Sequence, residues 1–318
     1  MMSSDDEYEE PLLESSYIKG SEAWSLWNSG VACALGTSFN FSIISLLVKL
    51  MSGQLNSLEI TLSRAALSLC LCLLFAHLHK VDVHGHRENR HLLIGRALGG
   101  TGSIIFYYVS LFLLPISDAV VIGCTHPLLT AIAAKVFLNE EVSWLVVSGA
   151  IVSFSGVGVI SYTPSSSGIG WDESRLVGVG VAISSAACAT YGSLCIRLIG
   201  HKETALTITT YLQAMATIIS LFSLIALQSL GILQPSLIQD IEPVTWLNLF
   251  AIGLLAWSGQ LLVTRSLQLL PAAIALGIGF SAVGFSFMFG IFIFHDPVTL
   301  QGITGTLMVL GGILTLCF

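Results

Sequence analysis

The chain has 318 residues, 54% of them hydrophobic and only 10% charged, where a soluble domain carries about 25% charged residues. Too little polar side chain remains to cover a water-facing globule, so lipid is the solvent for most of the chain. Twelve Lys and Arg against 19 Asp and Glu, with no basic stripe, exclude a nucleic-acid binder, whose phosphate contacts demand clustered bases.

In chain order, residues 1–22 come first and hold seven of the acids (Asp5, Asp6, Glu7, Glu9, Glu10, Glu14, Glu22) against the single base Lys19. They bury too little apolar surface to offset chain entropy and are expected to be a disordered, acidic cytosolic tail. No basic n-region precedes an apolar run, so no cleavable signal peptide is expected and the first hydrophobic run serves as the targeting signal. The seven cysteines are odd in number and sit in apolar runs, implying no disulfide framework.

Crossing about 30 Å of hydrocarbon takes roughly 20 helical residues, and ten runs qualify: Leu26–Lys49, Leu58–Leu78, Leu92–Leu113, Ile116–Phe137, Trp144–Tyr162, Leu176–Ile199, Ala205–Leu227, Val244–Thr264, Ala272–Phe294 and Val298–Phe318. They are continuously apolar without period-two alternation, so the expected class is an all-α membrane protein of ten transmembrane helices. With the N-terminus inside, the cytosolic tail, loops and helix ends hold Lys19, Lys80, Arg87, Arg90, Arg96, Lys135, Arg197, Lys202 and Arg265, and the other side holds Lys49, Arg64 and Arg175. That imbalance puts both termini in the cytosol of an integral, multi-pass protein, without resolving plasma membrane from endomembrane.

The second half repeats the first. Sliding the sequence by 156 residues aligns 110–162 with 266–318 without a gap, giving 11 identities in 53 positions. Ser-Leu-x-Leu-Leu-Pro occurs at Ser110–Pro115 and Ser266–Pro271, and Gly123, Gly149 and Gly156 fall on Gly279, Gly305 and Gly312. Five spans per copy is an odd number, so the second copy enters the membrane inverted, as five plus five. Inverted repeats suit alternating access, because two related halves can rock about a shared midplane site. The later glycines are expected to let helices approach closely.

Each half also ends on an acid followed by Gly nine and sixteen residues later: Leu138-Asn139-Glu140-Glu141 with Gly149 and Gly156, and Phe294-His295-Asp296 with Gly305 and Gly312. This phrase resembles the EamA-type domain of the drug/metabolite transporter superfamily, present twice, in residues 23–163 and 175–318 with a linker at 164–174. The stretch from Gly95-Arg96-Ala97 through Leu113-Leu114-Pro115-Ile116-Ser117-Asp118-Ala119 to Pro127 is most similar to solute carrier family 35 subgroup G. The resemblance implies a ten-helix carrier of small organic metabolites. The second copy departs from the first at Val283 for Pro127 and Ile274 for Asp118, so the halves need not contribute equally to a site.

Ionisable residues inside a span cost about 2.5 to 3.5 kcal/mol and face the bundle interior. Arg64 lies six residues into the second span with Thr61 and Ser68 on its face. It is either a cation for an anionic substrate or half of an ion pair, with Glu59 as an imperfectly spaced partner. On the third span Arg96, Gly99, Gly100, Ser103 and Tyr107 form a polar and small-residue stripe. Arg96 is expected to snorkel to the cytosolic end and Tyr107 to face a pocket; Arg64→Gln is accordingly expected to impair transport more than Arg96→Gln. On the fourth span Asp118, Ile122 and His126 share a face, and Pro127 frees a carbonyl; His126 could carry a proton or make an interhelical bond. Asn40, Tyr191, Tyr211, Gln213, Trp257 and Gln260 complete the candidate substrate-binding set, each also compatible with ordinary packing.

The five histidines of the second loop, His77, His79, His84, His86 and His91, raise a divalent-cation transporter as an alternative, opposed by Lys80, Arg87 and Arg90 among them. A non-transporting scaffold acting through the acidic tail is the other alternative. No Gly-Lys-Ser/Thr phosphate loop, His-Glu-x-x-His or Gly-x-Ser-x-Gly occurs, so no enzyme activity is expected. No catalytic residue, metal site or cofactor is expected. The partners are a small-molecule substrate and the lipid bilayer, with a homodimer left open.

Overall fold

In lipid a backbone must satisfy its own polar groups, and continuously apolar runs do so as helices. The computed structural model describes residues 26–51, 55–114, 122–123, 125–139, 143–161, 173–231, 243–294 and 300–317. Over these residues the protein is all-helical: α1 Gly30–Leu50, α2 Ser57–His79, α3 Arg90–Leu113, α4 His126–Leu138, α5 Trp144–Ser161, α6 Glu173–Ile199, α7 Ala205–Ser229, α8 Pro243–Leu269, α9 Ala272–Ile278, α10 Ser281–Phe294 and α11 Leu300–Cys317. Five of these eleven described helices contain spans long and apolar enough to cross a membrane unaided: Gly30–Val48, Leu58–His79, Leu176–Lys202, Ala205–Ser229 and Pro243–Leu269. His126–Leu138, Trp144–Val159 and Gly302–Thr315 are apolar but shorter. The acidic tail, Asp118, the acids Glu140, Glu141 and Asp296, and the linker at 164–172 lie outside the described residues.

Large apolar side chains cover the outside. Phe222, Phe292, Ile218 and Leu307 are each more than 60% exposed, a distribution that water would penalise and hydrocarbon does not.

Helix neighbours follow a rule of exchange. α3 packs on α6, and α8 on α1; α7 packs on α3, and α2 on α8; α4 packs on α6, and α10 on α1. If α1 to α5 are swapped in order for α6, α7, α8, α9 with α10, and α11, each of these pairs becomes the other. The remaining strong pairs, α2 with α7, α4 with α9 and α5 with α11, map onto themselves.

The glycines of the repeat make the α5–α11 contact. A Cβ at Gly156 would meet the Gly305 carbonyl oxygen at 2.6 Å, and one at Gly312 would collide with the Gly149 carbonyl and with Ser153. Gly149 and Gly156 stand 156 residues before Gly305 and Gly312, so these two contacts are one contact seen from each half. Ser153 Oγ adds a hydrogen bond to the Val309 carbonyl at 3.2 Å. α3 and α6 cross as closely: a Cβ at Gly99 would lie 2.8 Å from the Cys188 carbonyl and 2.9 Å from the Gly192 nitrogen. Small residues here give backbone-to-backbone packing that larger ones would forbid.

One expected span is interrupted. The run Ala272–Phe294 reads as a single helix, but it breaks at Gly279-Phe280 into α9 and α10. Hydroxyls of α1 stand against the break: Ser38 Oγ lies 3.5 and 3.4 Å from the Ile278 and Gly279 carbonyls, and Ser42 Oγ lies 2.9 Å from the Ala282 carbonyl in the first turn of α10. These contacts make an irregular backbone tolerable away from water. The repeat places Ile122-Gly123 on Ile278-Gly279, and α4 likewise starts just beyond that dipeptide, at His126. α4 and α10 therefore begin at matching points of the sequence repeat, each part-way along an apolar run and each with the positive end of its dipole there.

Candidate substrate site

A partly buried polar cluster gathers between α3, α4, α6 and α8. Arg96 is only 8% exposed, and its Nη2 donates to Gln260 Oε1 on α8 at 3.2 Å. The room for its head comes from glycine: a Cβ at Gly192 on α6 would lie 3.0 Å from Arg96 Nη1, and one at Gly100 would lie 2.7 Å from it. Arg96 Nε is buried without a hydrogen-bond partner. His126, the first residue of α4, bonds Ser193 Oγ on α6 at 3.2 Å through Nε2 and lies within electrostatic reach of Arg96. Below it Thr130 Oγ1 donates to Thr190 Oγ1 at 3.2 Å. One turn before Gln260, the Trp257 ring packs on Phe75 at 4.6 Å between centroids. Its buried Nε1 has no hydrogen-bond partner beyond contact with the Cys72 thiol, a weak acceptor.

Arg96 thus departs from the snorkelling expected of it. An arginine this near a helix end reaches for water when bulky neighbours leave no space inside; Gly100 and Gly192 leave that space. Arg64, by contrast, is half-buried on α2 and makes no hydrogen bond or ion pair with the described residues. Its suggested partner Glu59 turns back to accept the Asn56 backbone N–H at 3.0 Å, capping α2.

The other sequence candidates separate. Asn40 Nδ2 donates to Ser258 Oγ at 3.0 Å, tying α1 to α8. The Tyr107 ring lies beside Gly123. Tyr191 stands against Gly95 but is 53% exposed. Gln213 is buried on α7 at 5% exposure. Tyr211 Oη donates to the His84 carbonyl at 2.8 Å, at the end of the bundle rather than inside it. Gln260 and His126 are the candidates beside Arg96, while Trp257, one turn before Gln260 on α8, faces Phe75 and Cys72 on α2.

A second cluster was not evident in the sequence. Glu203, in the loop between α6 and α7, has a side chain only 4% exposed. Its Oε1 accepts from the His86 backbone N–H at 2.8 Å, from His86 Nδ1 at 3.0 Å and from Asn89 Nδ2 at 2.9 Å. Thr207 Oγ1 donates to the Asp82 carbonyl at 3.0 Å, and Gln268 Nε2 donates to the Gly200 and Glu203 carbonyls. With Tyr211, these bonds clasp the α2–α3 loop of the first half to the α6–α7 loop of the second. The His-rich loop is engaged in this clasp, and among the described residues no group of three His, Cys, Asp or Glu could hold a metal ion. His84, also in the loop, donates to Asp82 through its backbone N–H and faces it with its ring, holding the exposed Asp82 carboxyl below its usual range.

Two further arginines at this end serve the architecture. Arg265 is 5% exposed, donates to Asn28 Oδ1 at 3.2 Å and stands over the Trp27 ring. Arg197 Nη1 donates to the Leu267 carbonyl at 3.0 Å in the last turn of α8.

Comparison with known proteins agrees with this architecture. Residues 28–162 match the EamA-like transporter family. The pseudopaline exporter CntI of Pseudomonas aeruginosa is 27% identical over 89% of this chain and 94% of its own length. Solute carrier family 35 member G1 of Homo sapiens is 26% identical over 88% of this chain and 76% of its own. A probable transport protein of Saccharomyces cerevisiae is 25% identical over 76% of this chain and 73% of its own. A solved crystal structure of 15% identity superposes with a TM-score of 0.75 over 90% of this chain and 95% of that chain, a likeness of fold alone.

Proposed function

We propose that this chain, which belongs to the EamA-like transporter family, is a secondary carrier of a small polar metabolite, built as ten spans in two inverted halves. The observation that carries the reading is the reciprocal contact of Gly156 with Gly305 and of Gly312 with Gly149. Two halves related by a pseudo-twofold axis produce such a pair; an unrelated helix bundle has no reason to. In this reading α9 and α10 make one interrupted span, and the repeats occupy 23–163 and 175–318. An interrupted span such as α9 with α10 is the usual setting of a carrier's binding site.

The excess of bases at the α2–α3 and α6–α7 end supports a reading in which that end, and both termini, lie in the cytosol. The clasp around Glu203 then closes the cytosolic side between the halves. Alternating access requires it to part, because a site open to both sides at once would dissipate any gradient. The divalent-cation alternative loses its main support, since His84 and His86 are engaged by Asp82 and Glu203.

Flux tests the reading directly. Full-length protein in sealed vesicles loaded with a mixture of polar metabolites should release at least one of them faster than protein-free vesicles, as read by mass spectrometry. Deleting residues 1–22 should leave that release intact. Release indistinguishable from protein-free vesicles argues for a scaffold instead.

A further inference from the structure

Resting on the carrier reading, we propose that the site around Arg96 takes the oxyanion group, carboxylate or phosphate, of a small organic acid. The chemistry is a balance of donors and acceptors. A guanidinium stays charged in proteins and offers five N–H donors with no acceptor. Buried, it requires compensation, because an isolated ion in a low-dielectric interior carries a desolvation penalty of several kcal/mol.

The described residues supply little compensation. The one hydrogen bond to Arg96 comes from a neutral amide, Gln260. Among the described residues Glu59 caps α2, Asp82 holds His84, and Glu203 is filled by His86 and Asn89. Arg96 Nε is left without an acceptor, and so, one turn along α8 from Gln260, is Trp257 Nε1 except for its thiol neighbour. Both are obligate donors. A site with spare donors on two helices, one of them cationic, and no acid bonded to them among the described residues is completed by an oxyanion. Such a ligand neutralises the guanidinium through charge-assisted bonds. The Trp257 and Phe75 rings pack on each other one turn along α8 from Gln260.

Full-length protein in detergent separates the proposal from a merely structural arginine. Succinate, L-glutamate and glucose 6-phosphate are the oxyanion probes, with glucose and choline as neutral and cationic contrasts. At least one oxyanion should raise the thermal midpoint of the wild type, and neither contrast should. A response to the phosphate ester alone assigns phosphate; one to the acids alone assigns carboxylate. Gln260→Glu is the decisive variant, because it places an internal carboxylate on Arg96. It should raise the midpoint without ligand and weaken oxyanion binding at least tenfold. Arg96→Gln should also abolish the response, whereas Arg87→Gln, in the exposed loop, should not change it. The proposal is overturned if no oxyanion shifts the wild type, if glucose shifts it as much, or if Gln260→Glu binds the acids as well as wild type. The vesicle assay keeps the two readings apart. Binding without release of the same acid leaves the site standing and removes the carrier, while release confined to glucose or choline leaves the carrier and removes the oxyanion site.

Discussion

Gly312→Leu should eliminate most of the monodisperse protein seen by fluorescence-detected size exclusion, and Gly156→Leu should do the same from the other half. At both positions a side chain would run into backbone: the Gly149 carbonyl and Ser153 nitrogen oppose Gly312, and the Gly305 carbonyl and Val309 nitrogen oppose Gly156. A flexible side chain can rotate away, but a helix backbone moves only as a whole. Overpacking a tight core costs about 1 to 3 kcal/mol when side chains can adjust, and parting α5 from α11 would exceed that. The controls lie beside the test positions. A Cβ at Gly311 or at Gly158 would meet nothing within 4 Å, so Gly311→Leu and Gly158→Leu should give a normal peak. Equal behaviour of Gly311→Leu and Gly312→Leu would refute the packing account.

Glu203→Ala should release the clasp. It leaves the His86 N–H and Asn89 Nδ2 without their acceptor, and an unsatisfied buried group costs about 1 to 3 kcal/mol. The α2–α3 loop is held to the second half by this carboxylate and by Tyr211 and Thr207, so its opening becomes easier while the helices stay packed. Trypsin should cut at the exposed Arg87 and Arg90 about tenfold faster in Glu203→Ala, the factor that corresponds to about 1.4 kcal/mol. Glu203→Gln keeps one acceptor oxygen and should fall between. Cleavage at the wild-type rate in Glu203→Ala would mean that the carboxylate does not hold the loop.

What the sequence made legible was whatever rests on local pattern. The apolar runs follow from composition, and the glycine spacing that recurs after 156 residues turned out to mark the α5–α11 contact at the positions expected to permit close approach. The break at Gly279 was missed because Ala272–Phe294 is apolar throughout, and apolarity does not distinguish one helix from two. The dipeptide Ile-Gly at both 122–123 and 278–279 was the available signal. Arg96 was misplaced because its distance from the helix end suggested snorkelling, while the glycine that makes room for it inside, Gly192, belongs to another helix. Glu203 carried no signal: an acid in a short loop reads as solvated, and only closure of the α2–α3 loop over it creates its burial. Contacts between distant elements are the part that periodicity cannot supply.

The central claim is that the two halves thread the membrane in opposite senses, and cysteine labelling tests it most directly. His84 follows the second helix of the first half, and Ser229 ends the second helix of the other. With the native cysteines replaced, His84→Cys and Ser229→Cys should react with an impermeant maleimide from opposite faces, Ser229→Cys in intact cells and His84→Cys only in inverted vesicles. Labelling of both from the same face would contradict the inverted repeat and the carrier built on it.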